Sequence, residues 1–458
     1  MRRLVIALSC ALVSLAAAAQ TAGPLDFASA RALSRERSDK IRIESAETEH
    51  RAQQLESDRS LHGPKVEIDV KQVWGRKKLD LGEKSLPLPG MLPRLLHVDS
   101  ISIPLTFEQN LDGPRALLSA EMPIYTGGAI SAKISADEAS VFESRANEQA
   151  QADAVDSELA KKYFGVQLTR SVESLREQML DQQQKELEKA QRFEKKGLIS
   201  KLERLTIEVN RDKARRELAG ARTDRQVAES ELARMLREPS VGSLATPLFI
   251  VPGDLGTLSG WQKKALSFNP TLASIDAKRN MAEQGVTAAQ AAWKPQVYAF
   301  ARKNLIRHYL SITEPDWLAG VGVRFTLWDN HDRNASIASA RALVHKAQAA
   351  RSEAENQIAV GIETAYLKSV QSRDEYQLTL STLDLARENL RMREKAFSEG
   401  LSTANDLDDA RTRLIGAEIA RRVAAYKFVL AWASLHAVAG RMDEFVISAS
   451  DSSNILEK

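Results

Sequence analysis

Carboxylates, histidines and glycines are the residues whose spacing could do chemistry in this chain, and few of them are grouped. Asp406 and Asp409 stand six and nine residues after Gly400. Three residues apart, they share one face of a helix, where paired carboxylates attract cations. The same pair in a first helical turn also answers the helix dipole, a purely structural use. Glu203 stands six residues after Gly197. Asp329-Asn330-His331-Asp332 gathers metal-ligand types, but no ligand pair at helical spacing accompanies it, and a turn followed by a helix cap accounts for it. Gly320-Val321-Gly322 has the glycine spacing of a phosphate loop, yet no helix follows and Arg324-Phe325 continues an alternating strand. The remaining histidines are scattered, and Cys10 is the only cysteine, which excludes a disulfide framework and a multi-cysteine zinc cluster. Nothing here forms an enzyme's constellation, so the reading is no catalytic residue, no cofactor and no metal.

The elements that hold these residues are long helices. Of 458 residues, 27% are charged and only 5% aromatic, which suits extended solvated helices better than a large globular core. Lys+Arg 64 against Asp+Glu 61 leaves a net charge of +3, so no basic surplus argues for nucleic acid. Residues 1–19 run from Met1-Arg2-Arg3 through an apolar stretch to Ala16–Ala19, the pattern of a secretory signal. No second apolar run is long enough to span a bilayer; Lys427 and His436 interrupt the greasiest, Val423 to Val438. A chain of this kind meets a membrane integrally only through strands.

Proline is absent from 124–238 and 316–458, and within 129–192 and 334–397 only Gly165 and Gly361 interrupt. These blocks predict two helices each followed by a glycine break, at Gly197-Leu198 and Gly400-Leu401, and by a second helix. The expected hairpins cover about 129–238 and 334–439. Heptad rows (Tyr376, Leu383, Leu390, Phe397 beside Leu378, Leu385, Met392) point to coiled-coil packing.

Period-two alternation lies where the prolines are. Val66, Ile68 and Val70 form one apolar row, Ile101 to Phe107 a second, Ala116 to Ile124 a third, and Trp317 to Leu327 the clearest. Trp74, Trp293, Trp317 and Trp328 bound these segments, as in an interfacial girdle. Strands are expected over about 64–125 and 295–328. Tyr125 pairs with Trp328, Tyr163 with Tyr366 and Gly197 with Gly400 at an offset of 203, while Pro64-Lys65-Val66 pairs with Pro295-Gln296-Val297 at 231. The chain is therefore a duplication, 20–240 and 241–458, with an insertion in the first half. Residues 75–99 read as that insertion, an external loop, with 101–107 extending the first hairpin. Four strands cannot close a barrel, which begins at about eight, so copies must pool their strands.

The duplicated order resembles the TolC-type outer-membrane efflux protein family over essentially the whole mature chain. The carrying residues are Trp293-Lys294-Pro295-Gln296, the exits Ile124-Tyr125-Thr126-Gly127-Gly128 and Leu327-Trp328-Asp329, and the two Gly-Leu tips. The resemblance implies a mainly α chain with a membrane β-barrel: a homotrimer forming a twelve-stranded barrel in outer-membrane lipid and an α-helical periplasmic tunnel. It implies a passive exit duct for small molecules such as drugs, toxic compounds or metals, energised by an inner-membrane pump of the resistance-nodulation-division or ABC type through a periplasmic adaptor. Type I protein secretion is the alternative use, and a periplasmic coiled-coil scaffold without a pore the alternative class. Gly197, Leu198, Gly400 and Leu401 would be the adaptor-docking tips, and Asp406 and Asp409 stacked carboxylate rings at the periplasmic gate. Glu203 would be a gate latch, although Phe397 and Ser402 stand where its tyrosine and arginine partners are expected. One extra residue also separates Phe193 from Gly197 relative to Phe397 and Gly400.

Overall fold

A computed structural model describes residues 24–87, 100–307, 314–328, 330–451 and 453. The signal segment with Cys10, residues 88–99 and Asp329 lie outside the described residues. In chain order the elements are α1 (Phe27–Arg37), α2 (Asp39–Arg59), β1 (Lys65–Val73), β2 (Arg76–Pro87), β3 (Ser100–Asn110), β4 (Gly113–Tyr125), α3 (Ala129–Lys195) and α4 (Lys201–Leu236). The second half follows as α5 (Leu258–Phe268), α6 (Pro270–Ala291), β5 (Gln296–Asn304), β6 (Trp317–Arg324), α7 (Arg333–Ser398), α8 (Ala404–Val438) and α9 (Met442–Ser450). Helices α3 and α7 are 67 and 66 residues long, uninterrupted because neither contains proline. No helix among the described residues is long and apolar enough to cross a membrane.

The duplication reaches individual hydrogen bonds. The Asp26 side chain caps α1 and the Thr257 side chain caps α5, 231 residues later. The Tyr163 hydroxyl donates to the Leu25 carbonyl at 2.6 Å, and the Tyr366 hydroxyl to the Gly256 carbonyl at 3.1 Å. Donors 203 apart thus meet acceptors 231 apart, so each long helix ties down the residue just before its own half's first helix.

The chain forms two compact units. One comprises residues up to Glu49, Phe142–Ala277 and Gln348 onward. Its core concentrates the few aromatics: Phe27, Tyr163, Phe164, Phe249, Phe428, Trp432 and Phe445 pack with Leu159, Leu232 and Leu435. Ring contacts at 5.2–5.7 Å link Phe27, Tyr163, Phe164 and Phe249. Arg31 and Arg35 of α1 clamp the buried Asp156 of α3, each at 2.6 Å. Val423–Val438 is core helix, with Phe428, Val429, Trp432 and Leu435 buried.

Two buried titratable groups in this unit oppose each other. Burial pushes the Asp153 carboxyl up to about 6, and the neighbouring Asp156 charge adds to it. Burial pushes His436 down to about 4. Trp261, Trp432 and Phe445 surround its ring, Nδ1 donates to the Arg441 carbonyl at 3.2 Å, and Nε2 has no hydrogen-bond partner among the described residues. A raised acid binds its proton more tightly folded than unfolded, so Asp153 costs stability as pH rises from 3.8 to about 6. A lowered histidine does the reverse, and its contribution grows from about 4 to 6.5. Each effect is on the order of 3 kcal/mol when fully developed. Asp153→Asn should therefore leave a melting temperature that climbs between pH 4 and 6. His436→Gln, which keeps an N–H for Arg441, should leave one that falls; the parent lies between. Parallel pH curves for all three in thermal melts of the detergent-solubilised protein would refute the assignment.

The other unit comprises His50–Val141 and Lys278–Ala347. Its four-stranded antiparallel sheet has the order β1-β4-β5-β6, and β2 pairs with β3. The register of β1 on β4 (Val73 opposite Gly113) resumes unchanged in β2 on β3 (Arg76 opposite Asn110). The 101–107 alternation is thus the outer part of the first hairpin. Residues 75–99 are not simply a loop: 76–87 form β2, whose Leu79 lies opposite Phe107. The expected strand to Leu327 ends at Arg324.

Candidate functional site: the helical tips and the sheet wall

Each long helix stops at its glycine in the same way. Gly197 and Gly400 have φ of +71° and +75°, the left-handed conformation that a side chain would strain. The Leu198 N–H donates to the Phe193 carbonyl at 2.9 Å and the Leu401 N–H to the Ala396 carbonyl at 2.8 Å, closing equivalent caps 203 residues apart. Phe193 therefore corresponds to Ala396 rather than Phe397, and the two tips have equal length. Leu198 and Leu401 project with 66% and 78% of their surface exposed, far more than an apolar tip needs for its own fold.

Three residues past each tip glycine a capping box opens the return helix. The Ser200 hydroxyl accepts from the Glu203 N–H at 3.2 Å, and the Glu203 carboxylate accepts from the Ser200 N–H at 2.8 Å. Thr403 and Asp406 repeat this at 3.2 and 3.0 Å. Donation from the Thr403 backbone, then from its hydroxyl, holds the Asp406 carboxyl below the usual carboxylate range. In this conformation Glu203 and Asp406 are equivalent helix caps, each committing one carboxylate oxygen to its box. Asp409, one turn further along α8, is exposed.

Four residues that spacing alone did not single out tie α3 to α8 nearby. The Gln183 amide donates to Asp408, whose carboxyl is raised by burial. Arg411 is buried, pairs with Glu186 of α3 and reaches Glu394 of α7 at 3.6 Å. Nothing in the spacing of Glu186 and Arg411 along the chain marks them as partners. Only docking of the hairpins shows them paired and out of water.

The sheet wall has two unlike faces. Val66, Ile68 and Val70 stand opposite Ala120, Leu118 and Ala116, and the row continues through Ala299 and Ala301 to Val321 and Ala319, with Lys303, opposite Leu118 and Trp317, its one charged member on β5. On the other parity lie Lys65, Glu67, Asp69, Glu121, Arg302 and Arg324. Ile68, Val70, Val321 and Val323 are each 65–70% exposed, so the apolar row is the uncovered outside of the sheet. Gly320 and Gly322 face Phe300 and Tyr298 directly across the strand pair; a Cβ at Gly322 would come within 2.6 Å of the Tyr298 ring. They are strand glycines, filled over by aromatic rings, and no phosphate loop. The outer edges of β1 and β6 carry no partner strand among the described residues. Asp332 accepts from the Ala335 N–H at 3.0 Å, the cap expected of that turn.

A model of the outer membrane efflux protein family matches residues 31–236 and 261–441. The chain belongs to this family. Its fold is shared by solved members: VceC from Vibrio cholerae (TM-score 0.69, 14% identity, 91% of this chain and 96% of that one). The Campylobacter jejuni CmeC outer membrane channel is similar at TM-score 0.69 with 12% identity, covering 93% and 90%. The open state of the Neisseria gonorrhoeae MtrE channel gives TM-score 0.66 and 16% identity, covering 91% and 89%. A search among curated proteins finds no match for this chain. Membership makes the chain an outer-membrane efflux duct with a large helical periplasmic portion. The apolar row of the sheet is the face suited to lipid and the charged row the face suited to water. Members of this family are channels rather than enzymes.

Proposed function

We propose that three copies of this efflux protein close their sheets into a twelve-stranded barrel and form a passive exit for small molecules. The observation that carries this is the sheet itself: four strands, an apolar outside and two unpaired edges. An open edge in hydrocarbon leaves backbone groups unsatisfied at several kcal/mol each, and one chain's strands fall short of the smallest closed barrel. Identical copies remove both edges by joining β6 of one to β1 of the next. The exposed heptad row Leu378, Leu385 and Met392 on α7 supports the same association in the helical part. The duplication into 20–240 and 241–458 then supplies six quasi-equivalent hairpins, with tips at Gly197-Leu198 and Gly400-Leu401.

Those exposed leucine tips are the docking points for a periplasmic adaptor, behind which an inner-membrane pump supplies the energy. Asp409, uncommitted to any cap and exposed on α8, lines the periplasmic gate; Asp406 and Glu203 present it the carboxylate oxygen that their capping boxes leave unused. The cargo we assign to this exit is drug-like, toxic or metallic, and the charged row Glu67, Asp69, Glu121 and Arg302 on the inner face supports passage of polar solutes.

One set of measurements tests the reading. Purified from outer membranes, the protein should run as a trimer and conduct in planar bilayers. Asp406→Ala with Asp409→Ala should weaken block by multivalent cations. Leu401→Asp should abolish efflux of dyes and antibiotics in a complemented disruption strain while trimers persist. A soluble monomer without conductance would overturn the proposal, and unchanged efflux in Leu401→Asp would remove the tips from it.

A further inference from the structure

The first hairpin continues well beyond the membrane sheet, and its apolar pattern changes phase on the way. In β1 and β4 the apolar residues are even-numbered: Val66, Ile68, Val70, Leu118, Ala120 and Met122. In β2 and β3 they are odd-numbered, Leu79 opposite Phe107 with Ile103 and Leu105 beyond. Because the register is the same on both sides of the break at Trp74-Gly75 and Leu111-Asp112, a change of parity is a change of face. The break is pinned: the Gly75 N–H donates to Asp112 and the Gly75 carbonyl accepts from the Leu111 N–H, both at 2.8 Å. Even positions in the arm are polar and exposed (Arg76, Lys78, Asp80, Thr106, Glu108, Asn110).

A second device keeps the new face apolar. Between Asp80 and Glu83 the register shifts by one residue, at Gly82 with φ +79°. Without that bulge Leu86 would fall on the opposite side from Leu79; with it, Leu79, Leu86, Ile103, Leu105 and Phe107 share one face, accompanied by Lys77 and Lys84. Leu86, Ile103 and Phe107 remain 42–51% exposed. An isolated two-stranded hairpin is at best marginal in water, so this face requires a partner.

We infer that the partner is the same arm of the other two copies. The inference rests on the trimeric barrel proposed above. There the even face of β1 and β4 points to lipid and the odd face to the axis. The arm's apolar odd face therefore turns inward over the channel, and its charged face outward to water. Twelve strands set the arms at about 12 Å from the axis, so a modest inward lean at Gly75 brings three apolar faces into contact. The arms form a hydrophobic cap over the outer mouth, continuous with the subunit interface of the barrel.

The test uses the full chain in outer membranes on a Cys10→Ser background, with Phe107→Cys and Lys78→Cys compared under a short bifunctional maleimide. Phe107→Cys should give about tenfold more covalent dimer than Lys78→Cys, since only one face meets its copies. Equal or reversed yields in proteins that form native trimers overturn the cap while leaving the barrel standing. Absence of trimers in the unsubstituted chain overturns the barrel and the cap together. Replacing 77–109 by a short turn should keep the trimer and raise planar-bilayer conductance about twofold or more, as a wider mouth requires. Unchanged conductance in that variant also overturns the cap.

Discussion

Val321→Arg is expected to abolish assembly in the outer membrane. Val321 sits in the middle of β6, opposite Ala299, on the apolar face and with 66% of its surface uncovered. A cationic side chain on the lipid face near the bilayer centre costs about 2–4 kcal/mol, and a trimer would incur it three times. That is comparable to the whole margin of an ordinary domain. The neighbouring Gly322→Ala supplies a contrast, because its cost is a collision with Tyr298 on the water face and owes nothing to lipid. Outer-membrane fractionation with native gels separates the two. Normal Val321→Arg trimers in the outer membrane would mean that this face never meets lipid.

Arg411→Ala should loosen the helices just behind the tips. Arg411 is buried beside Glu186, and removing it leaves that largely buried carboxylate without its cation, while the half-exposed Glu394 keeps its water. Breaking such a pair by deleting one partner costs about 3–5 kcal/mol, whereas replacing both ends by apolar groups is often neutral. The expected result is a lower melting temperature and a larger mean conductance for Arg411→Ala, with stability largely restored by Arg411→Met combined with Glu186→Met. Equal melting temperatures for Arg411→Ala and the parent would show that the pair holds nothing.

Much of the architecture was legible because it is written in local chemistry. Proline exclusion and the glycines at 197 and 400 marked the hairpins, since helix continuation and left-handed termination are decided within a few residues. Alternation marked the strands, because side chains of a pleated strand face opposite sides whatever pairs with them. Even the extension of the first hairpin lay in the odd-numbered row ending at Phe107. Its companion β2 was obscured, because Arg76-Lys77-Lys78 and Asp80 read as loop when the alternation is polar on one face and sparse on the other.

What the sequence by itself determined, then, is the two long helical hairpins, the strands other than β2, the twofold repeat and the family resemblance. These depend on periodicity and on residues such as Tyr163 and Tyr366 whose equivalence is visible as an offset. Which carboxylates cap a helix is also a local matter, since Ser200 and Glu203, like Thr403 and Asp406, stand three residues apart. Glu203 and Asp406 close capping boxes with Ser200 and Thr403, while Asp409 is left to solvent. Tertiary structure alone decided that Asp408 and Arg411, neighbours of those residues on α8, turn away from water toward α3. The physical reason is that a charge's environment is set by what packs against it from distant sequence, which no local spacing records.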